Sequence, residues 1–159
     1  MRGFLIAFLI ALGGMVFALY LQLFQQQTPC PLCVMQRVGL IGVGLVSLIA
    51  LIHRPRRPGI RFYAGSGVVF ALFGLVMAGK QVYLQFYPPS DATACAPSLS
   101  FLYHNLPLSK FLSVLLQGSG ACAAVPWQFL GLSLAAWSGL GFLALILLLL
   151  WQWRLAVRR

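Results

Sequence analysis

Four stretches of this chain are apolar for long enough to cross a bilayer, and short polar breaks separate them. The first runs from Phe4 to Phe24, about 21 residues, enough to cross ~30 Å of hydrocarbon as a helix. Gln25, Gln26 and Gln27 then mark the exit into water. The second runs from Val34 to Ile52 and ends in a basic loop, His53 to Arg61, where Pro55, Pro58 and Gly59 act as helix breakers. The third is Phe62 to Leu84, with Lys80 near its far end. A polar, proline-containing segment follows from Phe86 to about Gln128, and the fourth span runs from Phe129 to about Trp153. A signal peptide competes for the first run, because Arg2 gives a basic start and Val16-Phe17-Ala18 faintly resembles a cleavage site. The run exceeds the usual 7–15 apolar residues, which favours a retained anchor. The pattern therefore predicts an all-α membrane protein, one domain over residues 1–159, built as a four-transmembrane-helix bundle. Residues 25–33 and 85–128 form the external loops; 1–3, 53–61 and 154–159 lie on the opposite side.

Composition agrees and removes several chemistries. The chain is 61% hydrophobic and 8% charged, against roughly 25% charged in a soluble domain. Asp91 is its single acidic residue, so paired-carboxylate hydrolysis and carboxylate di-iron sites are excluded. The net charge of +10 does not point to nucleic acid, because the basic residues sit at the ends of apolar runs and form no stripe. Eight of the eleven (Arg2, Arg54, Arg56, Arg57, Arg61, Arg154, Arg158 and Arg159) fall in three places that four spans would put on one side. The positive-inside rule makes that side cytoplasmic. Both termini are then cytoplasmic, and Cys30, Cys33, Cys95 and Cys122 all face the other way. In a bacterial inner membrane that is the periplasm, an oxidising compartment.

Small residues recur at four-residue spacing: Gly67-Ala71 and Gly74-Ala78 in span three, and Gly131, Ala135 and Gly139 in span four. Such stripes let helix backbones approach closely in lipid. Within the long external loop, Pro88, Pro89 and Pro97 surround Cys95 and predict irregular backbone. Leu106 to Leu116 is too short to span and predicts a short helix lying in the interface plane. Gly118-Ser119-Gly120 punctuates the loop before Cys122. A loop pinned in its middle and loose around each cysteine suits carriage of Cys95 between partners; a plain Cys95–Cys122 staple is the simpler reading.

The candidate chemistry centres on Thr28-Pro29-Cys30-Pro31-Leu32-Cys33-Val34-Met35-Gln36-Arg37. Thr28 reads as a helix cap and Pro29 as a first-turn residue, where a missing N–H costs nothing. Helical spacing then puts Cys30 and Cys33 on one face, with Arg37 one turn beyond Cys33. A helix N-terminus and a guanidinium both favour a thiolate, the nucleophile of disulfide exchange. Cys-x-x-Cys also serves zinc, and two inert cysteines remain open on this pattern alone. Zinc sites usually come as two close pairs, which Cys95 and Cys122 do not form. His53 and His104 read as solvated or interfacial.

These residues resemble the DsbB family, the bacterial inner-membrane disulfide bond formation proteins that link periplasmic thiol oxidoreductases to quinone. The likeness covers nearly the whole chain. It rests on Cys30-Pro31-Leu32-Cys33 with Arg37, on Gln85-Phe86-Tyr87-Pro88, on the Cys95/Cys122 spacing, and on Trp127-Gln128-Phe129-Leu130-Gly131-Leu132. The resemblance implies that a Cys95–Cys122 disulfide accepts electrons from a soluble thioredoxin-like protein of the DsbA type. It implies that Cys30–Cys33 reoxidises that pair and passes two electrons to ubiquinone or menaquinone. By the same likeness Cys95 forms the mixed disulfide with the partner, Cys122 pairs transiently with Cys30, and Cys33 faces the quinone beside Arg37. Gln81, where some members carry His, is a second candidate for the quinone pocket. A vitamin-K-epoxide-reductase-like enzyme shares the thiol–quinone logic and is the nearer alternative; a non-catalytic membrane protein with four structural cysteines is the other.

Overall fold

The computed structural model describes residues 2–24, 30–87, 107, 109–110, 116, 122 and 128–158. Four long helices dominate: α1 (Arg2–Phe24), α2 (Pro31–His53), α3 (Arg57–Phe86) and α4 (Leu134–Arg158). Each is long and apolar enough to cross a membrane. The protein is an all-α, four-span membrane protein. Its periphery is what lipid requires: Leu9, Val16, Ile52, Val69 and Leu147 are all more than half exposed, with no aqueous reason to be so.

The helix boundaries correct the sequence reading in three places. α2 is capped by Cys30, with Pro31 in its first turn, so the start lies two residues later than a Thr28 cap implies. Thr28 and Pro29 themselves lie outside the described residues. The basic loop is shorter than expected. Arg54 sits in the left-handed region (φ 44°) and accepts the turn, while Pro58 and Gly59 are already in the first turn of α3. Proline is tolerated there because first-turn N–H groups have no intrahelical partner. Finally, α4 does not begin at Phe129. Gln128–Phe129 (β1) and Leu132–Ser133 (β2) pair as a two-residue antiparallel hairpin. Leu130 (φ 53°) and Gly131 (φ 78°) fill its turn, both at positive φ as a primed turn needs. Gly131 is thus a turn residue rather than part of the helix stripe. Ser133 then caps α4, its Oγ accepting from Ala136 N at 3.3 Å.

α3 sits at the centre, packed against α2 and α4, and its small residues make that contact close. Gly67, Ala71, Gly74 and Ala78 are all buried. A Cβ at Gly39 of α2 would lie 3.1 Å from the Gly74 Cα and 3.1 Å from the Phe70 carbonyl, so the two backbones nearly touch. On its other side Gly74 receives the Phe142 ring of α4, and Gly67 receives Leu149. The core between them holds Phe4, Ala7, Val43, Ala50, Leu145 and Leu149.

The ends of the bundle differ in kind. At one end Gly3 of α1 packs on Gln152 of α4, and the Arg61 guanidinium lies 5.8 Å from the centroid of the Trp153 ring. The basic N-terminal tip, the α2–α3 turn and the C-terminal tail therefore share that end. The start of α2 and the ends of α1 and α3 gather at the other. There Lys80 Nζ donates to the Leu116 carbonyl at 2.6 Å, tying α3 to the external segment. Of the expected interfacial helix, Ser109, Lys110 and Leu116 are helical, and residues 106, 108 and 111–115 lie outside the described residues.

Candidate functional site

The cysteine end is built from the first turn of α2. Cys30 precedes the helix with extended backbone (φ −72°, ψ 159°), and its sulfur accepts from the Cys33 N–H at 3.3 Å. The cap and the Cys-x-x-Cys pair are therefore one structure: the three-residue spacing brings the Sγ atoms to 2.8 Å as hydrogen-bonded thiols. Cys122, fully buried, packs in the same apolar cluster with Leu32 and Met77 and hydrogen-bonds Cys30 through its side chain. Its bond to Cys122, the bond to Cys33 and burial together hold the Cys30 thiol well above the usual thiol range. Cys30 is the protonated centre of a three-sulfur cluster, flanked by Cys33 on one side and Cys122 on the other. Cys95 lies outside the described residues.

The group that reaches Cys33 from α3 is Gln81, almost wholly buried. Its Nε2 donates to Cys33 Sγ at 3.3 Å, and its Oε1 lies 3.6 Å from the same sulfur. Behind it stands a residue the sequence reading passed over. Gln36 of α2 is buried and donates from Nε2 to Gln81 Oε1 at 2.7 Å. Ser138 of α4 closes the row by donating to Gln36 Oε1 at 2.8 Å. Three helices thus contribute to one buried polar row ending on Cys33. A signal for Gln36 was present, since it sits three residues after Cys33 on the same helical face. Ser138 had none, because nothing in one sequence aligns α4 with α2.

Arg37 is placed differently from a simple neighbour of Cys33. Its Nη1 donates to Gln22 Oε1 at 2.6 Å and its Nη2 to the Ala18 carbonyl at 3.2 Å, both on α1. The guanidinium therefore bridges α1 and α2 at the rim of the cysteine end, half-buried. Two of its five N–H groups are engaged there. A surface groove of about 750 Å³, lined by Gly65, Leu150, Trp153 and Arg154 among others, lies at the arginine-rich end and contains none of these groups.

A cysteine cluster at one mouth of a four-helix membrane bundle is the setting in which comparison with known proteins becomes decisive. The family model described as disulfide bond formation protein DsbB matches residues 1–152. This chain belongs to the DsbB family. The chain is 47% identical over 145 residues to disulfide bond formation protein B of Acinetobacter baumannii, covering 91% of this chain and 85% of that protein. It is 40% identical over 149 residues to the protein of the same name from Nitrosococcus oceani, covering 94% and 85%. It is 43% identical over 148 residues to that of Azoarcus, covering 93% and 89%. As a member of the DsbB family the chain is a disulfide-forming oxidoreductase of the membrane.

Proposed function

We propose that this chain is a quinone-linked protein-disulfide oxidase that reoxidises a periplasmic thioredoxin-like protein of the DsbA type. In this reading a Cys95–Cys122 disulfide takes two electrons from the reduced partner. The freed Cys122 thiolate attacks the Cys30 sulfur of a Cys30–Cys33 disulfide and expels Cys33 as the leaving thiolate. Return of the Cys95–Cys122 disulfide then leaves Cys30 and Cys33 reduced, and the electrons pass on to ubiquinone or menaquinone. The observation that carries the reading is the seating of Cys122 against Cys30 in one buried cluster with Cys33. Exchange needs one sulfur to reach another, and a cluster of three brings them together.

The chemistry of the donor set fits a quinone. A quinone presents carbonyl acceptors on an apolar body. Arg37 has N–H groups beyond those held by Gln22 and Ala18, at the edge of an apolar bundle one helical turn from Cys33. Arg37 would hold a quinone oxygen, while Gln81, whose Nε2 faces Cys33, would keep the sulfur in place. When bound, the quinone accepts two electrons and two protons. An acceptor of high potential is required, because a DsbA-type partner is itself a strong oxidant near about −120 mV, and each ~30 mV is worth about 1.4 kcal/mol.

Burial of Cys30 and Cys122 slows attack by water and bulk thiols, while half-buried Cys33 remains within their reach. Sharing of one bundle end by the three basic places favours cytoplasmic termini and a periplasmic site. The test is oxidation of a reduced thioredoxin-like protein by the purified chain. Many equivalents should be oxidised with quinone present and a stoichiometric amount without it. Turnover indifferent to quinone would overturn the proposal.

A further inference from the structure

The sense in which Gln81 presents its carboxamide to Cys33 decides what that contact does. Nε2 is the nearer amide atom to the sulfur, at 3.3 Å, and donates a hydrogen bond to it, while Oε1 stands 3.6 Å away, within reach of the thiol S–H. Rotated by half a turn, the same amide would press a carbonyl oxygen against an electron-rich sulfur. Cys33 cannot fix the choice, since a thiol both donates and accepts. The choice is made from behind. Gln81 Oε1 accepts from Gln36 Nε2 at 2.7 Å, which requires Gln36 to turn its own oxygen away. That oxygen accepts from the Ser138 hydroxyl at 2.8 Å. The single Ser138 hydroxyl proton is shared, since the Ala135 carbonyl also lies 2.8 Å from Ser138 Oγ and competes with Gln36 Oε1 for it. Each amide in the row is oriented by the next, and the hydroxyl at the far end supports this direction through its donation to Gln36 Oε1.

We propose that Ser138 and Gln36 are positioning residues that fix the Gln81 carboxamide with its N–H towards Cys33, and so favour the reduced sulfur over the disulfide. The physical reason is that a thiolate or thiol sulfur accepts a hydrogen bond better than a disulfide sulfur, and donation to a charged acceptor is the stronger kind. In the low-dielectric interior a row of aligned bonds strengthens its members, while a misaligned one costs the more. A reduced form stabilised in this way makes the Cys30–Cys33 pair a stronger oxidant, as a relay feeding on an oxidising partner needs. The inference rests on the reading of Cys30–Cys33 as a redox pair.

The test measures the equilibrium of Cys30–Cys33 with glutathione, in the full chain carrying Cys95→Ser and Cys122→Ser. Two glutathione thiols and the disulfide exchange for oxidised glutathione and two protein thiols, so electrons and protons balance without quinone or partner. Ser138→Ala should shift this equilibrium towards the disulfide by about fivefold, and Gln36→Met by about tenfold, the scale of one hydrogen bond to a charged sulfur. Ser138→Thr, which keeps the hydroxyl, should restore the parent value. Gln81→Met should shift it at least as far, and adding Ser138→Ala to Gln81→Met should then change nothing further. Should one variant fail to fold, the other carries the same test. Shifts of less than twofold, failure of Ser138→Thr to restore, or full additivity with Gln81→Met would each overturn the inference while leaving the redox pair intact. A parent pair that forms no reversible disulfide would contradict the redox reading itself.

Discussion

Cys122 reaches Cys30 across the mouth of the bundle, and the two share a buried cluster although α2, α3 and most of the segment after α3 separate them in sequence. This seating assigns the cysteines unequal parts. Cys30 is the junction, Cys33 faces Gln81, and Cys122 brings the external segment to both.

From that division follows the behaviour of a chain lacking Cys122. In the proposed relay it is the one thiol of the same loop that can return to Cys95 and release the partner, so without it a Cys95–partner bond is open only to the partner's own second thiol. Given oxidised partner, Cys122→Ser should therefore accumulate a mixed disulfide formed by attack of Cys95 on the partner's disulfide, with the partner's second sulfur released as a thiol, seen as a non-reducing gel shift and mapped by mass spectrometry. Trapping of the partner on Cys30 or Cys33 instead would reverse the proposed electron path.

Arg37→Ala separates exchange from reoxidation. Exchange between sulfurs does not need the cation, so one rapid, stoichiometric oxidation of reduced partner should survive. Multiple turnover should fall by at least tenfold, with a raised apparent KM for quinone. Arg37→Lys keeps the charge and loses the planar fork, so an intermediate defect is expected. Because Arg37 also ties α1 to α2 through Gln22 and Ala18, the alanine variant should lose about 1–3 kcal/mol of stability as well. Gln22→Ala should reproduce the stability loss and leave the quinone KM nearer normal. Equal KM effects in both variants would reduce Arg37 to a structural tie.

Packing of the helices gives a prediction independent of the chemistry. Gly39→Ala drives a methyl group into the Gly74 and Phe70 backbones, neither of which yields without separating α2 from α3. The cost should be about 1–3 kcal/mol, read as a lowered thermal midpoint. Gly79→Ala, on α3 with open space at its Cβ, should be neutral or stabilising by up to ~1 kcal/mol.

Orientation is tested by reporter fusions after Arg159 and within residues 88–127. They should report opposite sides, with the C-terminus cytoplasmic. A cytoplasmic loop would sink the redox reading, since a reducing compartment would hold these thiols open.

The four spans were legible because lipid imposes one rule on every residue of a span, and apolar length alone expresses it. Cys30, Cys33 and Arg37 were legible because one helix carries them at fixed spacing. Boundaries failed where side-chain chemistry outranked hydropathy. Cys30 took the cap expected of Thr28 because its own sulfur accepts the Cys33 N–H, and Phe129 went into a hairpin because Leu130 and Gly131 turn the chain before Ser133 can cap α4. Gln36 and Ser138 stayed hidden because polar residues within apolar runs declare no partner until three helices are packed. Arg37 was found but its bonds to α1 were not, for the same reason.

The relay stands most directly on whether Cys30 and Cys122 can bond. In Cys33→Ala, the Cys30 thiol has lost its neighbour in the Cys-x-x-Cys pair and can attack Cys122 of a Cys95–Cys122 disulfide, releasing Cys95 as the thiol. Peptide mapping of the acid-quenched, alkylated protein should then find a Cys30–Cys122 disulfide together with alkylated Cys95 in a substantial fraction of molecules. Alkylated Cys30 in every molecule, with Cys122 bonded to Cys95 throughout, would contradict the account.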